Sequence, residues 1–153
     1  MIETLLKSYA WYDHPEGLKF VETHRDEYRT SGHWLMLPGA FSAFHRVFNN
    51  EELWMIHQGR ITLHIIGADG RLSSQKLGND LQAGEKPVIS VPKNCWQAAE
   101  IEAGVPYAFG TVVCAPAFQF DLFEMANRKA LIEQFPEYKD MPLRCFQWNK
   151  LVY

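Results

Sequence analysis

The chain has 153 residues, 47% of them hydrophobic and 22% charged, a balance that excludes a disordered segment and suits one compact core. Fifteen basic against eighteen acidic side chains give a formal charge of -3 with no Lys/Arg cluster, so nucleic acid is not an expected partner. No apolar run approaches the roughly 18 residues that span a bilayer, and Met1 to Tyr9 lacks the basic start and apolar centre of a secretory signal. Neither a membrane nor export is expected, and the cytoplasm is the default location.

In chain order, IETLLKSY places Ile2, Leu5, Leu6 and Tyr9 on one face of a short helix, which the HPEG turn ends. Short strand-like runs follow: KFVETH, HWLML, SAFHRVF, LWMIHQG, RITLHIIG, KPVISVP, CWQAAEI and YAFGTVVC. Turn residues separate them in LPG, FNNE, GADG and VPKN, and ITLHIIGADGRLSSQKL reads as a hairpin. Many short strands without intervening helices indicate an all-β sandwich or barrel. Met125 to Phe135 has helical periodicity and then meets Pro136. The tail beyond carries Tyr138, Phe146, Trp148 and Tyr153. Exposing such rings forfeits on the order of 1.5–3 kcal/mol each, so the tail is expected to pack on its own barrel or on a second subunit.

Two segments concentrate the informative spacing. Gly39, His45, Glu52 and Gly59 match the first motif of the cupins, G-x5-H-x-H-x4-E-x6-G, with Val47 where its second histidine would stand. GEKPVISVPKNCWQ resembles the second motif through Pro92 and Asn94, with Gln97 in the place of its histidine. HPEG, VETHR, FHR, EELW, LGNDL, VPKNCWQAA and APAFQFDLFEMA occur in the order found in one cupin family, catalogued as a domain of unknown function. The chain departs from that family's pattern at Leu18, Met55, His57 and Val88, all near the expected pocket.

The resemblance implies a single cupin domain over residues 1–153, a double-stranded β-helix or jelly-roll barrel with short terminal helices. Residues 1–20 would form the N-terminal helix and turn, 21–124 the barrel, and 125–153 the C-terminal helix and aromatic tail. It also implies a small-molecule ligand in the barrel and, together with the aromatic tail, a homodimer. By its strand pattern Ala43, His45 and Val47 share a face.

Three readings of His45, Glu52 and Gln97 follow. They bind a divalent metal, although one histidine, one carboxylate and one amide fall short of the usual donor set. They form a metal-free acid–base site, with His45 and Glu52 catalytic and Gln97 holding a substrate oxygen beside the apolar wall of Trp54. Or they are a hydrogen-bonded structural cluster or a pocket that binds without turnover. The second is favoured, by analogy with cupin isomerases and epimerases that transfer protons next to a carbonyl of a sugar or keto acid; no cofactor is favoured.

Secondary candidates for ligand binding are Glu22 and Arg25, which alternatively pair at the rim, His33 and His57 near the barrel mouth, and Glu124 as a further carboxylate reaching the barrel interior, ranked behind Glu52. His14 reads as a turn residue and His64 as exposed or structural. Trp34, Trp54 and Trp96 are core or pocket wall. Cys95, Cys114 and Cys145 lack zinc-type spacing and read as reduced thiols, Cys95 being the one expected next to the site.

Overall fold

The computed structural model describes residues 1–141 and 143–147, side chains excepted for the last two. After helix α1 (Ile2–Ser8) come strands β1 (Tyr12–Asp13), β2 (Lys19–Arg25), β3 (Thr30–Met36), β4 (Phe41–Val47), β5 (Glu51–Gln58), β6 (Ile61–Ile66), β7 (Leu72–Leu77), β8 (Val88–Val91), β9 (Trp96–Ile101), β10 (Ala108–Ala115) and β11 (Phe123–Met125). Helices α2 (Arg128–Gln134) and α3 (Arg144–Gln147) follow. One sheet runs β1-β2-β3-β10-β5-β8 and the other β11-β4-β9-β6-β7, with antiparallel pairing throughout both. This is the all-β jelly roll expected.

Alternation decides which side chains fill the space between the sheets. Trp34 and Met36 on β3, Trp54 and Ile56 on β5, Ile61, Leu63 and Ile65 on β6, and Ala99 and Ile101 on β9 form one interior cluster. Burying each large apolar side chain contributes about 1.5–3 kcal/mol relative to leaving it in water. The opposite face of the second sheet carries Phe44, Ile66, Trp96 and Ala98, which Leu131 and Cys145 of the C-terminal segment cover, together with Phe135 and Tyr138. Tyr138 fixes that cover by donating to the Gly70 carbonyl and accepting from the Leu72 amide, both at 2.9 Å. The aromatic tail thus packs on its own barrel through Tyr138. The side chain of Phe146, with Trp148 and Tyr153, lies outside the described residues.

The β6–β7 hairpin turns through Gly67 to Gly70 as expected. His64 within it is buried, which rules out the exposed placement. β11 is an element the sequence reading missed: three residues are too few to show a period.

Two loops meet at one end of the barrel. Asn94 adopts a left-handed backbone (φ 67°), donates its amide to the Val47 carbonyl and accepts the Asn49 amide on its side chain. Asparagine tolerates that conformation where most residues do not.

Close approach of strands also depends on Gly110. A Cβ there would lie 2.0 Å from the Met55 carbonyl oxygen and 2.3 Å from the Trp34 ring. The backbone oxygen cannot yield, so Gly110→Ala is expected to lower stability by roughly 1–3 kcal/mol, the usual cost of overpacking. Thermal unfolding of the variant beside the parent measures this.

Candidate active site

A cavity of about 70 Å³ opens between the sheets, walled by Phe20, Trp34, Trp54, Phe118, Phe120 and Phe123. Its polar groups come from three places. His45 reaches in from β4, Glu52 from β5, and His14 and Glu16 from the HPEG turn between β1 and β2. All four are buried.

His45 enters through an irregular strand. Ser42 aligns with Ala99 and His45 with Gln97 on β9, so a β-bulge adds a residue between them. Ser42, not Ala43, therefore shares the face of His45, which corrects the parity expected for Ala43. The Nδ1 of His45 donates to the Ala43 carbonyl at 2.8 Å. That bond assigns the proton to Nδ1 and leaves Nε2 directed at Glu16 Oε2, 3.3 Å away. The same oxygen lies 3.3 Å from His14 Nδ1. Glu16 thus sits between two imidazoles, and the backbone of its turn is tied down by Ala43 N–H donating to its carbonyl at 2.7 Å.

Electrostatics separates the two carboxyls of the pocket. Burial pushes Glu16 up, but His45 and His14 beside it prevail and hold it at about 2, well below the ordinary value. Burial raises Glu52, and the nearby Glu16 charge adds to this; the opposing influence of His45, Cys114 and His14 does not cancel the rise. His14 is raised overall: burial works against its charge, but the Glu16 carboxylate, with a lesser push from Glu52, outweighs it.

Glu52 is oriented from behind. Trp54 Nε1 donates to Gln97 Oε1 at 2.8 Å, and Gln97 Nε2 donates to Glu52 Oε2. Cys114 donates its S–H to Glu52 Oε1 at 3.0 Å. Burial pushes the Cys114 thiol far up, so it remains protonated and is no nucleophile. The cysteine beside the site is therefore Cys114; Cys95 packs in the interior cluster instead.

His45, Glu52 and Trp54 come together as expected. Gln97 belongs to the same network but does not line the cavity, so it positions Glu52 and does not reach a ligand oxygen. This also decides whether the trio suits a divalent metal. The amide oxygen of Gln97 is engaged by Trp54, and Val47 supplies no donor. His45, Glu52 and Gln97 therefore do not make up a metal-binding set.

Glu22 and Arg25 form a bidentate ion pair at the rim (2.7 and 3.0 Å), and Arg25 also donates to the Phe118 carbonyl at 2.8 Å. Three other placements are corrected. His33 and His57 project from the outer face of the first sheet, where both contact the Thr111 hydroxyl, at 2.9 and 2.7 Å. Trp34 and Ile56 face inward, so their neighbours His33 and His57 must face out. Glu124 likewise points away, because Phe123 and Met125 occupy the inward positions of β11; its carboxylate accepts from Arg46 Nε at 2.7 Å. Trp96 lies on the outer face under the Arg46 guanidinium.

His14 and Glu16 were the residues that sequence reasoning undervalued. The HPEG phrase was visible, but nothing in local spacing showed that this turn closes one end of the barrel.

A family model described as Cupin superfamily (DUF985) matches residues 3–126. The chain belongs to this cupin family. The cupin barrel is also similar to a hypothetical protein from Leishmania major, with a TM-score of 0.85 at 22% identity over 90% of this chain and 94% of the other. An X-ray structure of a Shewanella oneidensis protein gives a TM-score of 0.84 at 28% identity, covering 91% and 92%. Oxalate decarboxylase from Bacillus subtilis gives 0.62 at 14% identity, covering 87% of this cupin and 38% of that chain, a likeness of fold alone. The comparison with curated proteins gives no match. Among the described residues no helix is long and apolar enough to cross a membrane.

Proposed function

We propose that this cupin binds a small polar metabolite bearing a carbonyl, of the sugar or keto-acid class, and moves a proton on the carbon next to that carbonyl. The observation that carries this reading is the opposite displacement of two carboxyls in one pocket, Glu16 toward the ionised form and Glu52 toward the neutral acid. Pairs pushed apart in this way are how acid and base roles are divided at one pH.

In the proposed step His45 acts from its neutral form, with Nδ1 held by the Ala43 carbonyl: the C–H bond next to the carbonyl breaks and its proton passes to Nε2, which restores the ion pair with Glu16. The electron pair moves into the carbonyl, whose oxygen takes a hydrogen bond or proton from Glu52. Glu16, 3.3 Å from His45 Nε2, stabilises the imidazolium that forms. Return of the proton to the neighbouring carbon after enol transfer gives an isomer; an epimer forms where a second group lining the cavity, His14, protonates the opposite face of the original carbon while His45 keeps the proton it took. The aromatic walls keep water from the enol.

Incubation of the protein in D₂O with a panel of aldoses, ketoses and 2-keto acids tests the proposal by mass spectrometry. Enzyme-dependent gain of deuterium at the α-carbon is the expected outcome. A panel member that raises the melting temperature yet gains no deuterium would favour a pocket that binds without turnover.

A further inference from the structure

A second group of chemically capable side chains lies on the opposite side of the sheet from the cavity. His64 on β6, Glu100 on β9 and Cys145 on α3 each present one donor atom, and these atoms lie within 4.8 Å of one another. None of the three lines the barrel cavity. The sheet and the C-terminal segment bring them together: His64 and Glu100 project from its outer face, and α3 covers them. Glu100 Oε1 accepts the Cys145 backbone amide at 3.1 Å, which sets the end of α3 against β9.

The state of His64 is a separate observation that points to a ligand. Its Nδ1 contacts the Ser74 hydroxyl at 2.8 Å, while its Nε2 is buried without a hydrogen-bond partner among the described residues, in a residue only 3% exposed. A buried polar atom left unsatisfied costs about 1–3 kcal/mol and calls for a reason. In the tautomer in which Nδ1 donates to the Ser74 hydroxyl, Nε2 offers a lone pair. An imidazole held through one nitrogen, with a thiol and a carboxylate within 4.8 Å of a ring nitrogen, is the arrangement of a metal-ligating histidine with its supporting hydrogen bond.

We propose that His64, Glu100 and Cys145 form a binding site for a divalent metal ion of the zinc class, independent of the barrel site. Nitrogen, sulfur and oxygen donors at zinc distances would stand about 3.3–3.8 Å apart in a tetrahedron, so modest side-chain rotation closes the site. The thiolate selects against magnesium and calcium. On binding, Cys145 gives its S–H proton to solvent and the sulfur electron pair to the metal; His64 Nε2 and a Glu100 oxygen supply two more pairs, and water completes the fourth position. Of the three, Glu100 also lines an open cleft, which it edges with Thr62, Gly39 and Arg144. The bound ion would clamp α3 to β6 and β9 and so stabilise the C-terminal cover of the sheet.

The full chain, stripped with a chelator and dialysed, is titrated with cobalt(II) and then zinc(II). One cobalt per chain with a thiolate-to-cobalt charge-transfer band and tetrahedral visible bands, displaced by zinc, is the expected result, and zinc raises the melting temperature. Cys145→Ser is expected to abolish the charge-transfer band, and His64→Gln to weaken binding at least about ten-fold. His24→Gln, which removes an exposed imidazole on β2, leaves both readouts unchanged. Absence of the band in the parent, or its survival in Cys145→Ser, overturns the proposal. If Cys145→Ser does not fold, as judged by circular dichroism, the parent titration and His64→Gln decide: parent-like affinity in His64→Gln overturns it equally.

Discussion

Glu16→Gln is expected to destabilise the protein by about 3 kcal/mol near pH 6, the low end of the range for breaking a buried ion pair. The carboxylate lies 3.3 Å from both His14 and His45 with almost no water to replace it. An amide leaves the imidazoles without their counter-charge. The pH dependence gives the sign. Glu16 is held at about 2 in the folded protein against an ordinary 4.5, so its contribution is fully present above pH 4.5 and is lost as pH falls toward 2. At about 1.4 kcal/mol per pH unit this amounts to roughly 3 kcal/mol. His14 is raised above its ordinary 6.5, so its contribution is complete below pH 6.5 and fades as pH climbs through the raised value. The gap between parent and variant should therefore be widest between about pH 4.5 and 6.5 and should close toward pH 2. Urea unfolding across this range measures it; a gap that does not vary with pH would contradict the ion-pair account.

Glu52→Gln should behave in the opposite way. Loss of the acid is expected to slow deuterium exchange by at least about 100-fold, a typical contribution for a positioned proton donor. Stability should hold or rise. Burial raises the folded pKa of Glu52 above 4.5, so whatever it contributes to stability is present below pH 4.5 and lost as pH rises through the raised value. A neutral amide escapes that loss. It can still accept from Gln97 on its oxygen while its NH₂ turns to the Cys114 sulfur, where Glu52 Oε1 now sits at 3.0 Å. Exchange rates and unfolding midpoints of the same preparation separate the two effects. Intact exchange in folded Glu52→Gln would remove this carboxyl from the mechanism.

The parts of the site carried by strand periodicity were legible. The spacing from His45 to Glu52 and Trp54 puts all three on inward positions of neighbouring elements, and the structure keeps them there. Where phase was uncertain, legibility failed: His33, His57 and Glu124 each stand one residue away from an inward aromatic or apolar side chain, and a shift of one residue reverses the face. The bulge before His45 had no sequence mark at all. Gln97 was recognised as a site position, but its bond to Trp54 is a cross-barrel contact that spacing does not reveal. Glu16 and His14 reach the cavity from a turn, where no period exists to predict direction. His64, Glu100 and Cys145 come from three distant elements and meet only because the C-terminal segment folds back over the sheet.

The opposed charge states of Glu16 and Glu52 are the centre of this account, and carboxyl-carbon NMR on protein with ¹³C-labelled glutamate reads them directly. The account predicts one resonance, absent in Glu16→Gln, that stays ionised down to about pH 2, and another, absent in Glu52→Gln, that titrates above the ordinary range. Two resonances that titrate together near the ordinary value of 4.5 would contradict it.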